Sequence, residues 1–458
     1  MRALLLFVAF LFAAPVGAAP EKPVEVVVSR EGDRFVATYT FPSAAPVWGF
    51  FRSQPDRANN ASWRTPGWRV RTKGVRLVHR GHYDALIANR GAVPLRVQIE
   101  FAPFTGDLVS DYVPALRLGK GIAVFDGHFA VFELPEARLI DTLPLDLNGH
   151  DVGDHGTRVR FVDGTRPVGI AGDAEGYGSG DSMGAYGLFD VPVANVTNGV
   201  ATVIDPALPS WLANDIVGFS PKVIDLLSTR LGKRALDRPT IMAAWEGARS
   251  PGVSMNGGAL DGLVMMRFSG VQALAPNPAL AAKVQWFIAH EASHFWLGQT
   301  VRYDRTRDSW IMEGGANLLA ARTVARLDPA FDEKGELNQE LADCAKLAAK
   351  PVGAAAERGE QRAFYACGAV FGMIAEHYSG GDFYHFVRKL IDARNAKNMI
   401  GQAEWLAVLR ESGAPDGVVK QIATLIDDGA DNPARALDRL LSDAGIVHSV
   451  SPDGVPKI

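Results

Sequence analysis

Residues 287–296 read Phe287-Ile288-Ala289-His290-Glu291-Ala292-Ser293-His294-Phe295-Trp296. An apolar period near 3.6 runs through this stretch and predicts a helix over about 277–299. His290 and His294 then lie one turn apart on one face, where two imidazoles can reach the same ion. Glu291 projects beside them, placed to take a proton from water as a general base. The H-E-x-x-H pattern alone is suggestive only, because histidines at this spacing also occur on ordinary helix faces.

A second stretch strengthens it. Eighteen residues, 295–312, separate His294 from Glu313 in Trp310-Ile311-Met312-Glu313-Gly314-Gly315-Ala316-Asn317, which opens another helical pattern. Catalytic zinc typically takes three protein ligands and keeps its fourth position for water. His290, His294 and Glu313 complete that set, so one Zn2+ per chain is the expected cofactor. Asn317, one turn further, is placed to accept a hydrogen bond from the far nitrogen of a ligand histidine. The remaining histidines lack a partner at ligand spacing and read as structural.

With these residues in place the sequence resembles the gluzincin metallopeptidases, and among them the aminopeptidase N family. His290, Glu291, His294 and Glu313 match its H-E-x-x-H, eighteen residues, Glu pattern, and Phe295, Trp296 and Gly298 fit its continuation. The family carries a tyrosine in a Y-x-x-G-A setting that stabilises the oxyanion. Tyr365-Ala366-Cys367-Gly368-Ala369 fits it, with Cys367 where the family often has lysine. A phenol aimed at the developing oxyanion stabilises charge formed only in the transition state. The resemblance also implies a G-x-M-E-N strand whose glutamate binds the substrate's amino terminus. Gly258-Ala259-Leu260-Asp261 can be laid over it with two residues deleted, which makes Asp261 the substrate-binding candidate. Ser254-Met255-Asn256 is a rival alignment without a carboxylate, and a plain turn aspartate is equally compatible.

Outward from these motifs, the chain of 458 residues is long enough for two or three domains. Residues 23–205 alternate with period two and are punctuated by Gly, Pro, Asn and Asp, as in Val24–Val28, Arg34–Tyr39 and Leu95–Glu100. Past Pro206 the period shifts to 3.6. The expected class is multidomain α+β: a sandwich-like all-β domain over 20–205, then a mostly helical catalytic domain over 206–396. The resemblance implies that this second domain is thermolysin-like. A short helical region follows over 397–458, in place of the family's large C-terminal helical domain, so a more open site is expected.

Residues 1–19 read as a secretory signal: Arg2, an apolar run over Leu4–Ala14, and small residues at Val16-Gly17-Ala18. The mature protein is thus expected to be periplasmic or secreted, without stable membrane insertion. Cys344 and Cys367 either pair there or remain two buried thiols. The net charge of −4 without a basic block argues against nucleic acid as a partner. The expected activity is a zinc metallopeptidase on peptide substrates, with trimming of amino termini as the leading form. Endopeptidase action, a non-peptide substrate, or a binding protein that kept the fold are the alternatives, and the intact Glu291 argues against the last.

Overall fold

Val24–Glu31 points Val24, Val26 and Val28 inward and Glu25 outward, the pattern of a sheet with one buried face. It returns as Arg34–Thr40 through Gly32-Asp33, where Gly32 adopts φ +65°, a conformation that disfavours any Cβ. The structure is a computed structural model that describes residues 22–145, 147, 150–172, 184–192, 194–234, 238–303, 305–394 and 398–458. The leader read over residues 1–19, and the boundary at residue 396, lie outside them.

Arg96–Phe101, Trp68–Val70 and Thr157–Val162 complete a five-stranded sheet with these two strands. Val131–Leu134, Val47–Phe50, Tyr83–Ala88 and Val75–Arg80 form a four-stranded sheet. Side chains of both sheets, among them Tyr39, Trp48, Phe50, Phe101 and Val131, share one buried cluster, so the first half is a sandwich. The single turn α1 (Arg64–Gly67) leads into Trp68–Val70. A third sheet contains Gly169–Ala171, Tyr186–Phe189, Gly121–Phe125 and Ala115–Leu118. Its Leu116, Phe125 and Tyr186 bury against Val203, Met242, Leu260 and Met265 of the second half. That apolar seam sets the β domain against the sheet that carries the site.

The second sheet-bearing unit runs Asn195–Thr197, Val200–Ile204, Thr240–Trp245, Leu263–Ser269, Ser254–Leu260. Its middle strands are parallel, and Ser254–Leu260 is an antiparallel edge strand. Two of these strands precede Pro206, so the sheet begins ahead of the boundary read at 205/206. A change of period marks where the helices start, and it cannot tell which sheet a strand joins.

Helices follow as α2 (Ser210–Leu231), α3 (Pro278–Ser293), α4 (Ser309–Leu327), α5 (Glu333–Leu347), α6 (Arg362–Tyr378), α7 (Phe383–Ala393), α8 (Gln402–Glu411), α9 (Asp416–Asp427) and α10 (Pro433–Asp443). The last three bury Trp405, Ile422 and Leu440 in one cluster with Ile288, Leu319 and Phe371. They therefore extend the core of the second half. Cys344 on α5 and Cys367 on α6 form a disulfide, which decides between the two states left open by the sequence.

The crossing of α4 and α6 brings two motif segments together. A Cβ added at Gly314 would lie 2.2 Å from the carbonyl carbon of Gly368, and one at Gly368 would lie 2.2 Å from the carbonyl oxygen of Trp310. Only glycine permits the helix backbones to meet this closely. Glu313 and Tyr365 are each within one turn of that contact.

Candidate metal centre

Asn277 opens α3, its side chain accepting the Leu280 N–H with Pro278 in the first turn. The helix ends at Ser293, short of the expected 299. Leu297 bridges to Val301 and Gly298 takes φ +139°, so the apolar run Phe295-Trp296-Leu297 packs from a turn and not from a helix face. His294 is the residue that caps the helix, still with αR backbone. Its Nδ1 lies 2.9 Å from the Leu297 carbonyl oxygen, to which it donates. Nε2 is thereby left with a lone pair for a metal.

His290, His294 and Glu313 each offer a ligand atom, and these atoms all lie within 4.8 Å of one another. Among the described residues this is the one such group of three. The two Nε2 atoms are 3.3 Å apart, and Glu313 Oε2 is 3.6 Å from that of His290 and 3.5 Å from that of His294. Glu313 Oε2 is buried with no hydrogen-bond partner within reach. Leaving such an atom unpaired is costly. A cation among the three groups removes that cost, and two imidazoles plus a carboxylate suit zinc. The donor set fits the ion.

The charges are tightly coupled. Burial alone would lower the basicity of His294, but the neighbouring Glu313 carboxylate overrides it and lifts the imidazole to about 9. Burial likewise opposes ionisation of Glu313, yet His294 and His290 hold its carboxyl far below the usual range.

Glu291 is buried beside the cluster, 8 % exposed. Burial raises its pKa, the two histidines pull it back, and Glu313 raises it again, leaving it above an ordinary glutamate. An upward shift of this kind suits a general base working near neutrality. The N–H of Ala259, on the edge strand, hydrogen-bonds to it. Tyr365 reaches the cluster from α6, its ring stacked at 5.8 Å on that of His290, which also stacks on Trp286 at 5.2 Å and meets His294 edge-on at 4.9 Å. Burial first, then Glu313 and Glu291, push its phenol well above the usual value, so it stays a donor. The structure thus assembles His290, Glu291, His294, Glu313 and Tyr365 in one place.

Two sequence assignments do not join them. Asp261 and Gly262 form the two-residue turn between Leu260 and Leu263, with Gly262 at φ +66°. Gln299 clamps the turn, accepting the Gly262 N–H at 3.1 Å and donating to the Leu260 carbonyl at 2.8 Å. Asp261 is 7 % exposed and its carbonyl lies against Gly172. The cavity of about 500 Å³ beside Tyr365 is lined instead by Asn256, Gly257, Tyr112, Asp111 and Arg57, among others. Asn317 donates to Glu340 Oε1 at 2.9 Å, and its own Oδ1, like Nδ1 of His290, is buried without a hydrogen-bond partner. The expected bond from Asn317 to a ligand histidine is not formed, because Glu340 on α5 orients the amide.

Tyr112 was not legible as a site residue. It comes from the β domain, and its hydroxyl donates to the Ala259 carbonyl at 2.5 Å. Nothing local marks it, since its role arises only where the two halves meet.

No family profile and no curated protein sequence matches the chain. Among solved structures it is similar to an M1 zinc metallopeptidase mutant from Deinococcus radiodurans bound to a Tyr-Ser-Ala substrate. The two share a TM-score of 0.50 and 13% identity, over 90% of this chain and 95% of that one. The M1 zinc metallopeptidase from Deinococcus radiodurans itself gives a TM-score of 0.48 and 15% identity over 90% and 95%. The chain shares the fold of that substrate-bound structure.

Proposed function

We propose that this chain is an exported zinc metallopeptidase that hydrolyses peptides, with removal of amino-terminal residues as its leading activity. The observation that carries the reading is the convergence of His290, His294 and Glu313 within 4.8 Å, beside a buried Glu291. Bound there, zinc supplies Lewis-acid activation of water and of the scissile carbonyl. Glu291 takes the proton of the attacking water and later returns it to the leaving amine. Tyr365, kept protonated by burial, donates to the oxygen that gains charge. The edge strand Ser254–Leu260 offers a backbone along which a peptide can lie.

Export rests on the signal-like residues 1–19 and is supported by the Cys344–Cys367 disulfide, a bond that persists in oxidising compartments. The amine-binding role read for Asp261 gains no support from its place in a clamped turn. Trimming of amino termini therefore rests on the resemblance in the motifs.

The test is a zinc-loaded protein offered one tripeptide with its amino group free and the same peptide acetylated. Cleavage of the free peptide alone fits the proposal. Equal cleavage of both would make it an endopeptidase. Cleavage of neither, with zinc bound, would overturn the peptidase reading.

A further inference from the structure

The cavity beside Tyr365 has walls from both halves of the molecule. Its charges are nearly all matched. Arg52 pairs with Asp111 at 2.5 Å, and Arg267 pairs with Glu246 at 2.6 Å and also with Asp107. Arg57 is the exception. Its Nε donates to the Leu108 carbonyl at 3.2 Å and its Nη2 to the Val109 carbonyl at 3.0 Å. Its main-chain N–H is bonded to the Asp107 carbonyl at 2.8 Å. Among the described residues no carboxylate pairs with it.

Two bonds to one loop brace this exposed guanidinium before any ligand arrives, and the main-chain bond ties its backbone to the same loop, so less rotamer freedom remains to be lost on binding. Two backbone carbonyls use two of its five N–H donors and neutralise no charge. Arg52 and Arg267 are matched by Asp111, Asp107 and Glu246, which leaves Arg57 as the one lining cation without a carboxylate among the described residues, at a cavity that also touches the oxyanion tyrosine. A planar fork of donors is the group best matched to a carboxylate.

We propose that Arg57 receives a carboxylate of the peptide substrate, and that the enzyme selects short peptides bearing one within reach of the scissile bond. The inference rests on the peptidase reading of the same site. The carboxylate comes either from the peptide's own C-terminus or from an acidic side chain, and both present the same two oxygens.

The test reads binding, so that it does not depend on turnover. Zinc-loaded full-length protein carrying Glu291→Gln is titrated calorimetrically with three peptides: Ala-Ala-Ala, its C-terminal amide, and Ala-Glu-Ala amide. The same titrations are repeated with Arg57→Gln added and, as a control, with Arg76→Gln, an exposed arginine on a strand away from the cavity. Either Ala-Ala-Ala or Ala-Glu-Ala amide should bind about 5- to 10-fold more tightly than the plain amide, as for one charge-assisted pair. Which of the two does so identifies the source. Arg57→Gln should bring that ratio close to one, while Arg76→Gln should keep it. Equal binding of all three peptides, or a preference that survives Arg57→Gln, would overturn the proposal. Separate assay of the Glu291-containing protein on the plain amide tells whether the peptidase reading itself has failed.

Discussion

The phenolic oxygen of Tyr112 lies 2.5 Å from the main-chain oxygen of Ala259, and the N–H of that same Ala259 hydrogen-bonds to Glu291. One residue of the edge strand is thus held through its carbonyl by the β domain and through its N–H by the proposed general base. Tyr112 is held in turn, its carbonyl accepting from His128 Nε2 at 2.8 Å. Arg64 donates to the His128 carbonyl at 2.8 Å and pairs with Asp84 at 3.0 Å, with both side chains fully buried. The β domain therefore reaches the site through a chain of four residues.

Tyr112→Phe deletes one link of that chain and leaves the Ala259 carbonyl without its partner. The loss costs about 1–3 kcal/mol for an unsatisfied buried acceptor. Part of it should appear at the site, as a fall of roughly tenfold in kcat/KM with zinc content unchanged. Steady-state kinetics with metal analysis checks this. Unaltered kcat/KM would mean that the apolar seam alone sets the edge strand.

The glycine contact between α4 and α6 makes a second prediction. Gly368→Ala forces a methyl into the Trp310 carbonyl, so the helices must separate and carry Glu313 away from Tyr365. Overpacking of this kind costs about 1–3 kcal/mol or more. Zinc affinity and kcat should fall together, while Gly417→Ala on α9, at a position with open space around it and an ordinary φ, should spare zinc affinity. Zinc titration by calorimetry distinguishes the two variants. Wild-type zinc affinity in Gly368→Ala would show that the helix crossing does not set the ligand.

Much of this site could be read from the chain because its parts are local. His290, Glu291 and His294 share a helix, and Glu313 and Tyr365 each sit beside a glycine-bearing signature that the helix crossing requires. The helices were legible for a related reason, since each shows one apolar stripe to a common core. What failed was tertiary. Phe295-Trp296-Leu297 continue the apolar period but belong to a turn. Asp261-Gly262 is a two-residue hairpin signal between apolar runs, and the alignment that made Asp261 a candidate for binding substrate did not use that turn chemistry. Tyr112 meets a segment more than a hundred residues away and Arg57 lines a cavity wall, and no spacing rule points to either.

His128 sets a pH limit on the same support. Burial first, with Arg64 and Arg52 adding to it, lowers its pKa from about 6.5 to about 4. The folded protein therefore keeps it neutral between those values while the unfolded chain protonates it. Its contribution is fully present above about 6.5 and is lost as pH falls toward 4, roughly 3 kcal/mol at the limit. Urea unfolding at pH 7.5 and 5.0 should show a drop that is smaller in His128→Gln. An equal drop in both proteins would assign the acid sensitivity to other groups.

Glu291 and Tyr365 can be separated from the metal ligands by what each loses. Glu291→Gln keeps the shape and the Ala259 bond but cannot take a proton, so zinc should stay bound while kcat falls by orders of magnitude. His294→Ala removes a ligand, and zinc should be lost along with activity. Tyr365→Phe deletes a single donor to the oxyanion, for which a fall of about 10²–10³ in kcat with little change in KM is expected. The Tyr365 hydroxyl also neighbours Glu313, so zinc content of this variant must be measured beside its kinetics. Full zinc with a reduced kcat assigns the phenol to the transition state. An unchanged kcat would leave the oxyanion to the metal and to other donors at the edge strand.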